Sequence, residues 1–237
     1  MSVVLLVRHG QANFGLGNYD KLSEHGQAQA LRLAEVLAGR GQTVDRIISG
    51  DLDRQRETAK VLSSVLGGGR TVTVDPRWNE YDHTRLIARV KPMYKKQWVM
   101  VADLARAKHP HRRLQEILDE SLARWVSDGD LPAVHADAEA PEPDVESFAA
   151  YSERIAGALD QVSSEQGTSL VVSSAGTIAA AIAPLLGVPA RAWPDLQRVM
   201  VNSSVTKVVR GQRGISLISF NEHSHLEGVP GLKITYR

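Results

Sequence analysis

Two kinds of hydrophobic pattern alternate along the chain. Residues 3–7 form a short apolar run rich in β-branched side chains, which predicts a buried strand of a parallel sheet. From 23 to 39 apolar residues recur at helical spacing, with Ser23 as a candidate N-cap and Gly39 as a helix stop. The chain therefore begins with a strand followed by an amphipathic helix.

The same alternation continues through most of the sequence. Further strands are predicted at 46–49, 71–74, 169–173, 199–209 and 215–220, and further helices at 53–66, 147–163 and 176–186. Strands that alternate with helices predict an α/β fold, a three-layer sandwich in which helices flank a mostly parallel central sheet. The glycine-containing turn at 211–214 predicts a hairpin at the edge of this sheet.

The region from about 84 to 146 departs from this alternation. It contains two predicted helices, near 86–107 and 114–126, and the first of these is rich in arginine and lysine. Residues 128–153 hold no lysine or arginine but many acidic residues and three prolines, which is typical of a linker. We interpret the chain as a single domain over 1–237 with a helical cap insertion at about 84–146.

Composition narrows the class of protein. The chain has 237 residues, of which 43% are hydrophobic, so it can bury a substantial core. A net charge of +1 argues against a nucleic-acid partner. The absence of cysteine excludes disulfides and thiolate nucleophiles, and no apolar run is long enough to span a membrane. We expect a cytoplasmic protein with no membrane association.

Chemically distinctive residues follow the predicted strands. Arg8 and His9 come after the first strand, Arg54 after the second, Glu80 after the third and Ser174 after the later strand at 169–173. Because ligands bind beyond the carboxyl ends of the strands in open α/β sheets, we expect these side chains to share one edge. They form the candidate site.

These residue types suit phosphoryl transfer. Arg8 and Arg54 can bind a phosphate through bidentate hydrogen bonds, and the helix that follows Ser174 offers backbone donors to an anion. A neutral imidazole at His9 is a competent nucleophile, while Glu80 can protonate the leaving oxygen and then activate water. The predicted reaction needs neither a metal nor another cofactor.

Several segments also resemble the histidine phosphatase superfamily, the phosphoglycerate mutase-like enzymes. The resemblance lies in Arg8-His9-Gly10, in the segments 19–30 and 49–59, and in Trp78-Asn79-Glu80. It implies that His9 becomes phosphorylated, that Arg8 and Arg54 bind the phosphate, and that Glu80 is the general acid and base. The implied fold has a mostly parallel sheet of about six strands, in agreement with the pattern above.

Three positions depart from the family pattern. Ala12 replaces a frequent serine or threonine, Gly15 replaces a frequent asparagine, and Ser174 replaces the second histidine. The family's second histidine stands in an "S-H-G-G" run, whereas this chain has Ser174 there, followed by Ala175. A serine hydroxyl can donate one hydrogen bond but carries no positive charge. We expect Gly10, Gln11, Ser174 and Ala175 to bind the substrate, and we hypothesise that His83 replaces the missing imidazole.

The expected function is hydrolysis of phosphomonoesters, with a small phosphorylated metabolite as substrate. Two alternatives remain: a phosphoglycerate mutase, and a catalytically weakened pseudoenzyme that binds phosphorylated ligands. Mutases of the family continue after the Asn-Glu pair with "R-H-Y-G", and the run Tyr81-Asp82-His83-Thr84 differs from it. The hairpin edge offers a strand that can pair with a second copy to form a homodimer.

Two further interpretations concern an acidic residue near Glu80 and the tryptophans. Asp82 lies two residues from Glu80 and competes with it for the acid role. The tryptophans are expected to be packing anchors and not a ligand site; they are Trp78, Trp98, Trp125 and Trp193.

Overall fold

A computed structural model describes residues 1–13, 20–68, 70–127 and 145–236. The acidic stretch at 128–144, which forms most of the predicted linker, lies outside these residues. The predicted cap insertion is therefore described up to residue 127 and again from residue 145.

A mixed sheet forms the centre of the described structure. Its strands are β1 (Ser2–Arg8), β2 (Arg46–Ser49), β3 (Val72–Val74), β4 (Gly167–Ser173), β5 (Val205–Gly211) and β6 (Gly214–Glu222). They lie in the order β3-β2-β4-β1-β5-β6. The pairs β1–β4, β4–β2 and β2–β3 are parallel, whereas β5 runs antiparallel to both β1 and β6. The mostly parallel sheet with a hairpin at one edge is confirmed.

Helices occupy both faces of the sheet. They are α1 (Glu24–Gly39), α2 (Asp53–Leu66), α3 (His83–Val90), α4 (Gln97–Ala105), α5 (Pro110–Ser127), α6 (Phe148–Ser164), α7 (Ala175–Ile182) and α8 (Trp193–Arg198). Alternate residues of β1 face the two layers, as the two-residue period of a strand requires. Leu5 and Val7 pack in a core with α1 and α2, while Val4 and Leu6 pack in a second core with α6 and α7. This is the predicted three-layer sandwich.

Proline changes the helices that the sequence pattern predicted. The long helix expected near 86–107 is two helices, because α3 ends at Val90 and Pro92 opens a short 3₁₀ turn before α4. The alanine-rich helix likewise ends at Ile182, since Pro184 begins another 3₁₀ turn. The strand expected at 199–209 begins only at Val205, after a tight turn in which Ser203 has a φ of 60°.

An aromatic cluster joins the predicted cap to the body of the domain. Its rings belong to Tyr81, Trp125, Phe148, Tyr151 and Trp193. The centroids of Tyr81 and Trp125 are 5.3 Å apart, and those of Trp125 and Tyr151 are 5.2 Å apart. The cluster holds α5 against α6 and α8, and it places Tyr81 beside the candidate site.

Three of the four tryptophans are packing anchors, as predicted. Trp78, Trp125 and Trp193 are almost fully buried, but Trp98 is 70% exposed on α4, so the expectation was wrong for that residue. In the described ranges, no helix is both long enough and apolar enough to cross a membrane.

Candidate active site

The sheet brings the predicted site residues to one edge. Arg8 is the last residue of β1 and lies in register with Ser173, the last residue of β4. His9 then leaves the strand, and its backbone N–H donates to the Ser173 carbonyl at 2.9 Å. Parallel pairing places the ends of β1, β2 and β4 side by side, so residues far apart in sequence meet there.

His9 is buried and held in one tautomer. Its Nδ1 lies 2.7 Å from the Gly10 carbonyl, which can only accept, so Nδ1 carries the proton. Its Nε2 lies 3.2 Å from Arg54 Nε, which can only donate, so Nε2 presents its lone pair. The two bonds together fix a neutral imidazole whose unprotonated atom is Nε2.

The surroundings of His9 also favour its neutral form. Burial lowers the pKa of His9 well below 6.5, and the positive charges of Arg54 and Arg8 lower it further. The hydrogen bond to the Gly10 carbonyl acts in the opposite direction but is the smallest of these effects. His9 is therefore unprotonated at neutral pH, as a nucleophile must be.

Arg54 lies between His9 and a carboxylate. Its Nη1 forms an ion pair with Asp20 Oδ1, and Asp20 Oδ2 accepts from the backbone N–H of Asp53 at 2.9 Å. Asp20 thus bridges the first turn of α2 and the Arg54 guanidinium. This contact fixes the direction of Arg54, whose side chain is only 12% exposed.

Arg8 contacts backbone carbonyls at the same edge. Its guanidinium donates to the carbonyl of Met200 and, over 2.9 Å, to the carbonyl of Tyr236. Its positive charge adds to burial and to the charge of Arg54 in lowering the pKa of His9. The structure therefore places the charge of Arg8 near His9 and anchors its head group to the segments that follow α8 and β6.

Glu80 lies in the segment before α3, and its carboxylate contacts the start of α7, where donors surround it. Glu80 Oε2 accepts from the backbone N–H of Gly176 at 2.9 Å, and Oε1 accepts from the hydroxyl of Tyr151 at 2.8 Å. The backbone N–H of Tyr81 lies 3.2 Å from Oε1, and the Thr177 hydroxyl lies 3.4 Å from it. Burial raises the pKa of Tyr151 well above 10, so its hydroxyl remains protonated and donates to Glu80.

Asp82 and His83 lie at the start of α3, shortly after Glu80. Asp82 is exposed and caps α3 by accepting from the backbone N–H of Arg85 at 3.0 Å. His83 is the first residue of α3, and burial lowers its pKa below 6.5. The charge of Arg54 lowers the pKa of His83 further, whereas Asp82 and Glu80 raise it. His83 is thus within electrostatic reach of both Arg54 and Glu80.

The remaining predicted residues shape the backbone of the site. Gly10 donates its N–H to the Thr58 hydroxyl at 3.1 Å, and a Cβ on Gly10 would lie 2.4 Å from the Gly26 carbonyl oxygen. Gln11 contributes backbone contacts: its N–H donates to Gln29 Oε1 at 3.0 Å. Ala175 is the first residue of α7 and is 9% exposed.

Ser174 has a partner that sequence reasoning missed. Its hydroxyl oxygen accepts from Gln55 Nε2 at 2.9 Å, and both residues are buried. Asp20, Tyr151 and Thr177 also contact predicted site residues without having been predicted. Gln55 directly follows Arg54, which was a usable signal, whereas the others approach through the tertiary fold. In the described ranges, no group of three or more His, Cys, Asp or Glu residues is placed to hold a metal ion.

Comparison with known proteins gives a consistent family. A sequence model of the histidine phosphatase superfamily (branch 1) matches residues 4–127 and 128–223. A glucosyl-3-phosphoglycerate phosphatase of Mycolicibacterium vanbaalenii is 28% identical over 96% of this chain and 88% of its own length. A probable phosphoglycerate mutase of Salmonella arizonae is also 28% identical, over 88% of this chain and 85% of its own.

Solved structures agree with the sequence comparison. A mycobacterial glucosyl-3-phosphoglycerate phosphatase superposes with a TM-score of 0.62 at 25% identity, over 93% of this chain and 98% of that one. A phosphoserine phosphatase from Entamoeba histolytica, solved with phosphoserine, has a TM-score of 0.64 at 21% identity, over 95% of this chain and 100% of that one. The second similarity concerns the fold alone.

Proposed function

We propose, since the chain belongs to the histidine phosphatase superfamily, that it hydrolyses phosphomonoesters of small metabolites through a phosphohistidine formed at His9. One observation carries the proposal. His9 is buried, neutral and fixed with Nε2 unprotonated, 3.2 Å from Arg54 Nε. A nucleophile beside a guanidinium is what transfer of an anionic phosphoryl group requires.

The proposed reaction has two steps. In the first, His9 Nε2 forms a bond to phosphorus, the bond from phosphorus to the alcohol oxygen breaks, and Glu80 gives that oxygen a proton. In the second, Glu80 takes a proton from water, the water oxygen bonds to phosphorus, and the bond to Nε2 breaks. Inorganic phosphate leaves, and Glu80 again carries the proton with which it began. Arg8 and Arg54 offset the negative charge of the phosphoryl oxygens throughout.

The substrate is proposed to be bound by Gly10, Gln11, Ser174, Ala175 and His83 as well. The support for His83 is its electrostatic coupling to Arg54 and Glu80. Because His83 begins α3, the first helix of the predicted cap, we propose that the insertion at about 84–146 selects the substrate. Phosphorylated three-carbon acids and their glycosides are the first compounds to test, since relatives of this chain bear names of phosphatases acting on such esters.

The central test compares two histidine variants with an aryl phosphate and a chelator present. We expect wild-type protein and His109→Ala to release phosphate, because His109 is exposed just before α5. His9→Ala should lose all measurable turnover. Rapid acid-free quenching followed by ³¹P NMR should detect a phosphohistidine in wild type and none in His9→Ala. Equal turnover in His9→Ala and wild type would contradict the proposal.

Two other activities of the same site have specific support. A mutase is favoured by the similarity to a protein named probable phosphoglycerate mutase. Net interconversion of phosphoglycerate isomers without phosphate release would identify it.

A phosphate-binding pseudoenzyme is favoured by the neutral Ser174 and by the pairing of Arg54 with Asp20. Phosphate binding without turnover of any tested ester would identify that state.

Location and assembly complete the proposal. We propose a cytoplasmic enzyme, on the basis of a chain without cysteine. We also propose that β6, an edge strand with Ile218 56% exposed, can pair with a second copy. Light scattering of wild type and of Ile218→Lys tests the dimer, which the lysine should dissociate.

A further inference from the structure

The hydrogen bonds around Gln55 fix the direction of the Ser174 hydroxyl. Gln55 lies in the first turn of α2 and is fully buried. Its Nε2 lies 3.2 Å from the Trp78 carbonyl oxygen and 2.9 Å from Ser174 Oγ. A backbone carbonyl can only accept, so the atom facing it must be the amide nitrogen and not the amide oxygen. Ser174 Oγ therefore accepts from Gln55.

The amide oxygen supports the same orientation. Gln55 Oε1 accepts from the backbone N–H of Leu52 at 3.4 Å. A Cβ at Gly50 would lie 2.0 Å from this oxygen, so the glycine leaves the room that the amide occupies. Both N–H groups of Gln55 are thus committed, one to Trp78 and one to Ser174.

The side chain of Ser174 does not cap α7, although a serine at this position usually does. Ser174 is the N-cap residue of α7, where a serine side chain normally accepts from a backbone N–H of the first turn. It makes no such bond, and the N–H of Gly176 donates to Glu80 at 2.9 Å instead. Within the described part of the chain, the Ser174 hydroxyl hydrogen has no acceptor.

We infer that Gln55 is a positioning residue that turns Ser174 into a hydrogen-bond donor toward the phosphoryl group bound beside His9. The inference rests on the proposed function, because it deepens the description of that same site. Ser174 lies at the carboxyl end of β4, directly after Ser173, whose carbonyl accepts from the His9 backbone. An anion bound at this edge is the acceptor that the hydroxyl hydrogen lacks. The site thereby uses a neutral donor whose direction is set from α2.

A double-mutant cycle on phosphate binding tests the inference. The variants are Ser174→Ala, Gln55→Leu, which keeps the volume but removes both N–H donors, and the combination of the two. Inorganic phosphate is titrated into each protein by calorimetry at pH 7, and the unfolding temperature is recorded in parallel. We expect Ser174→Ala to weaken binding about tenfold and Gln55→Leu about fivefold. The double variant should bind about as weakly as Ser174→Ala, and not about fiftyfold more weakly than wild type.

Two control variants separate positioning from packing. Ser174→Thr retains a hydroxyl and should restore binding to within about threefold of wild type. Ser121→Ala removes an equally buried hydroxyl in α5, which donates to the Ile117 carbonyl at 2.7 Å and has no contact with Gln55 or Ser174 in the described residues. We expect it to lower the unfolding temperature while leaving the dissociation constant for phosphate within about twofold of wild type.

The result that would overturn the inference is full multiplication of the two single effects in the double variant. An unchanged dissociation constant in Ser174→Ala, or a wild-type protein that binds no phosphate, would overturn it equally. Failure of the proposed function has a different signature. In that case wild type binds phosphate and the cycle shows coupling, but no phosphohistidine forms and no ester is hydrolysed.

Discussion

After burial, the charge of Arg54 is the largest effect that lowers the pKa of the proposed nucleophile His9, and replacement of Arg54 by glutamine tests this contribution directly. Arg54 Nε lies 3.2 Å from His9 Nε2, so the guanidinium opposes a second positive charge on the ring. Two unit charges about 4 Å apart at an effective dielectric constant of about 20 interact by about 4 kcal/mol. Asp20 pairs with Arg54 and cancels part of this field. We therefore expect the pKa of His9 to rise in Arg54→Gln, by an amount that corresponds to only part of this repulsion.

The direction of the change in the His9 pKa follows from the protonation state of His9 that Arg54 stabilises. Removing a positive charge stabilises the imidazolium form, and losing a donor to Nε2 removes a bond that exists only with the neutral form. Both changes raise the pKa of His9, which in wild type lies well below 6.5. The neutral nucleophile should therefore be lost at a higher pH in the variant, and the acid limb of kcat/KM should move with it.

The assay is an NMR titration of the histidine ring signals from pH 4 to 8, with His9→Ala used to assign the His9 signal. Arg56→Gln is the matched control, because Arg56 is exposed and pairs with Asp51 at 3.2 Å. It should leave the titration of His9 unchanged. A pKa of His9 in Arg54→Gln equal to or below that of wild type would refute the reasoning, whatever happens to turnover.

Three further predictions concern other parts of the site and the core. Tyr151→Phe keeps the ring but removes the hydroxyl that donates to Glu80 Oε1 at 2.8 Å. We expect kcat to fall about tenfold with little change in KM. An unchanged kcat in steady-state assays would contradict this prediction. Gly10→Ala places a Cβ 2.4 Å from the Gly26 carbonyl oxygen, and urea unfolding should show a loss of about 1–3 kcal/mol, whereas equal stability would show that the backbone can yield. Burial lowers the pKa of His225 from 6.5 to about 4. Between these pH values the unfolded chain binds a proton at this residue and the folded chain does not. The free energy of unfolding therefore falls as the pH drops from about 6.5 to about 4. His225→Leu should remove up to roughly 3 kcal/mol of that pH dependence, measured by urea unfolding at pH 7 and pH 4, and an unaltered dependence would show that His225 does not cause it.

Local signals in the sequence were enough to place most elements. Ser23 was predicted as an N-cap, and its side chain accepts from the backbone N–H of Gly26 at the start of α1. The strand at 46–49 was predicted with the bounds that β2 has. Such predictions succeed because capping and hydrophobic periodicity act within a few residues. Pro92 was a usable signal for a helix end as well. The apolar pattern continues on both sides of it, however, and so predicted one helix where the structure has two.

The candidate site was predictable only as far as topology determines it. Parallel strands imply that His9, Arg54 and Ser174 share one edge, and the structure brings His9 and Arg54 into contact. Which atom donates to which depends on side chains that approach from distant elements. Gln55 beside Ser174 and Tyr151 beside Glu80 are such cases, because no periodicity encodes them.

The central position of β1 has a consequence for how the chain folds. β1 pairs on one side with β4 and on the other with β5, and both of these strands belong to the last third of the sequence. His9 likewise depends on Ser173 for its N–H and on Asn202, whose side chain donates to its carbonyl at 3.1 Å. Contacts of such long sequence separation form slowly, because a long loop must close before they stabilise anything. During synthesis the environment of His9 is therefore complete only after the last third of this sequence has been made.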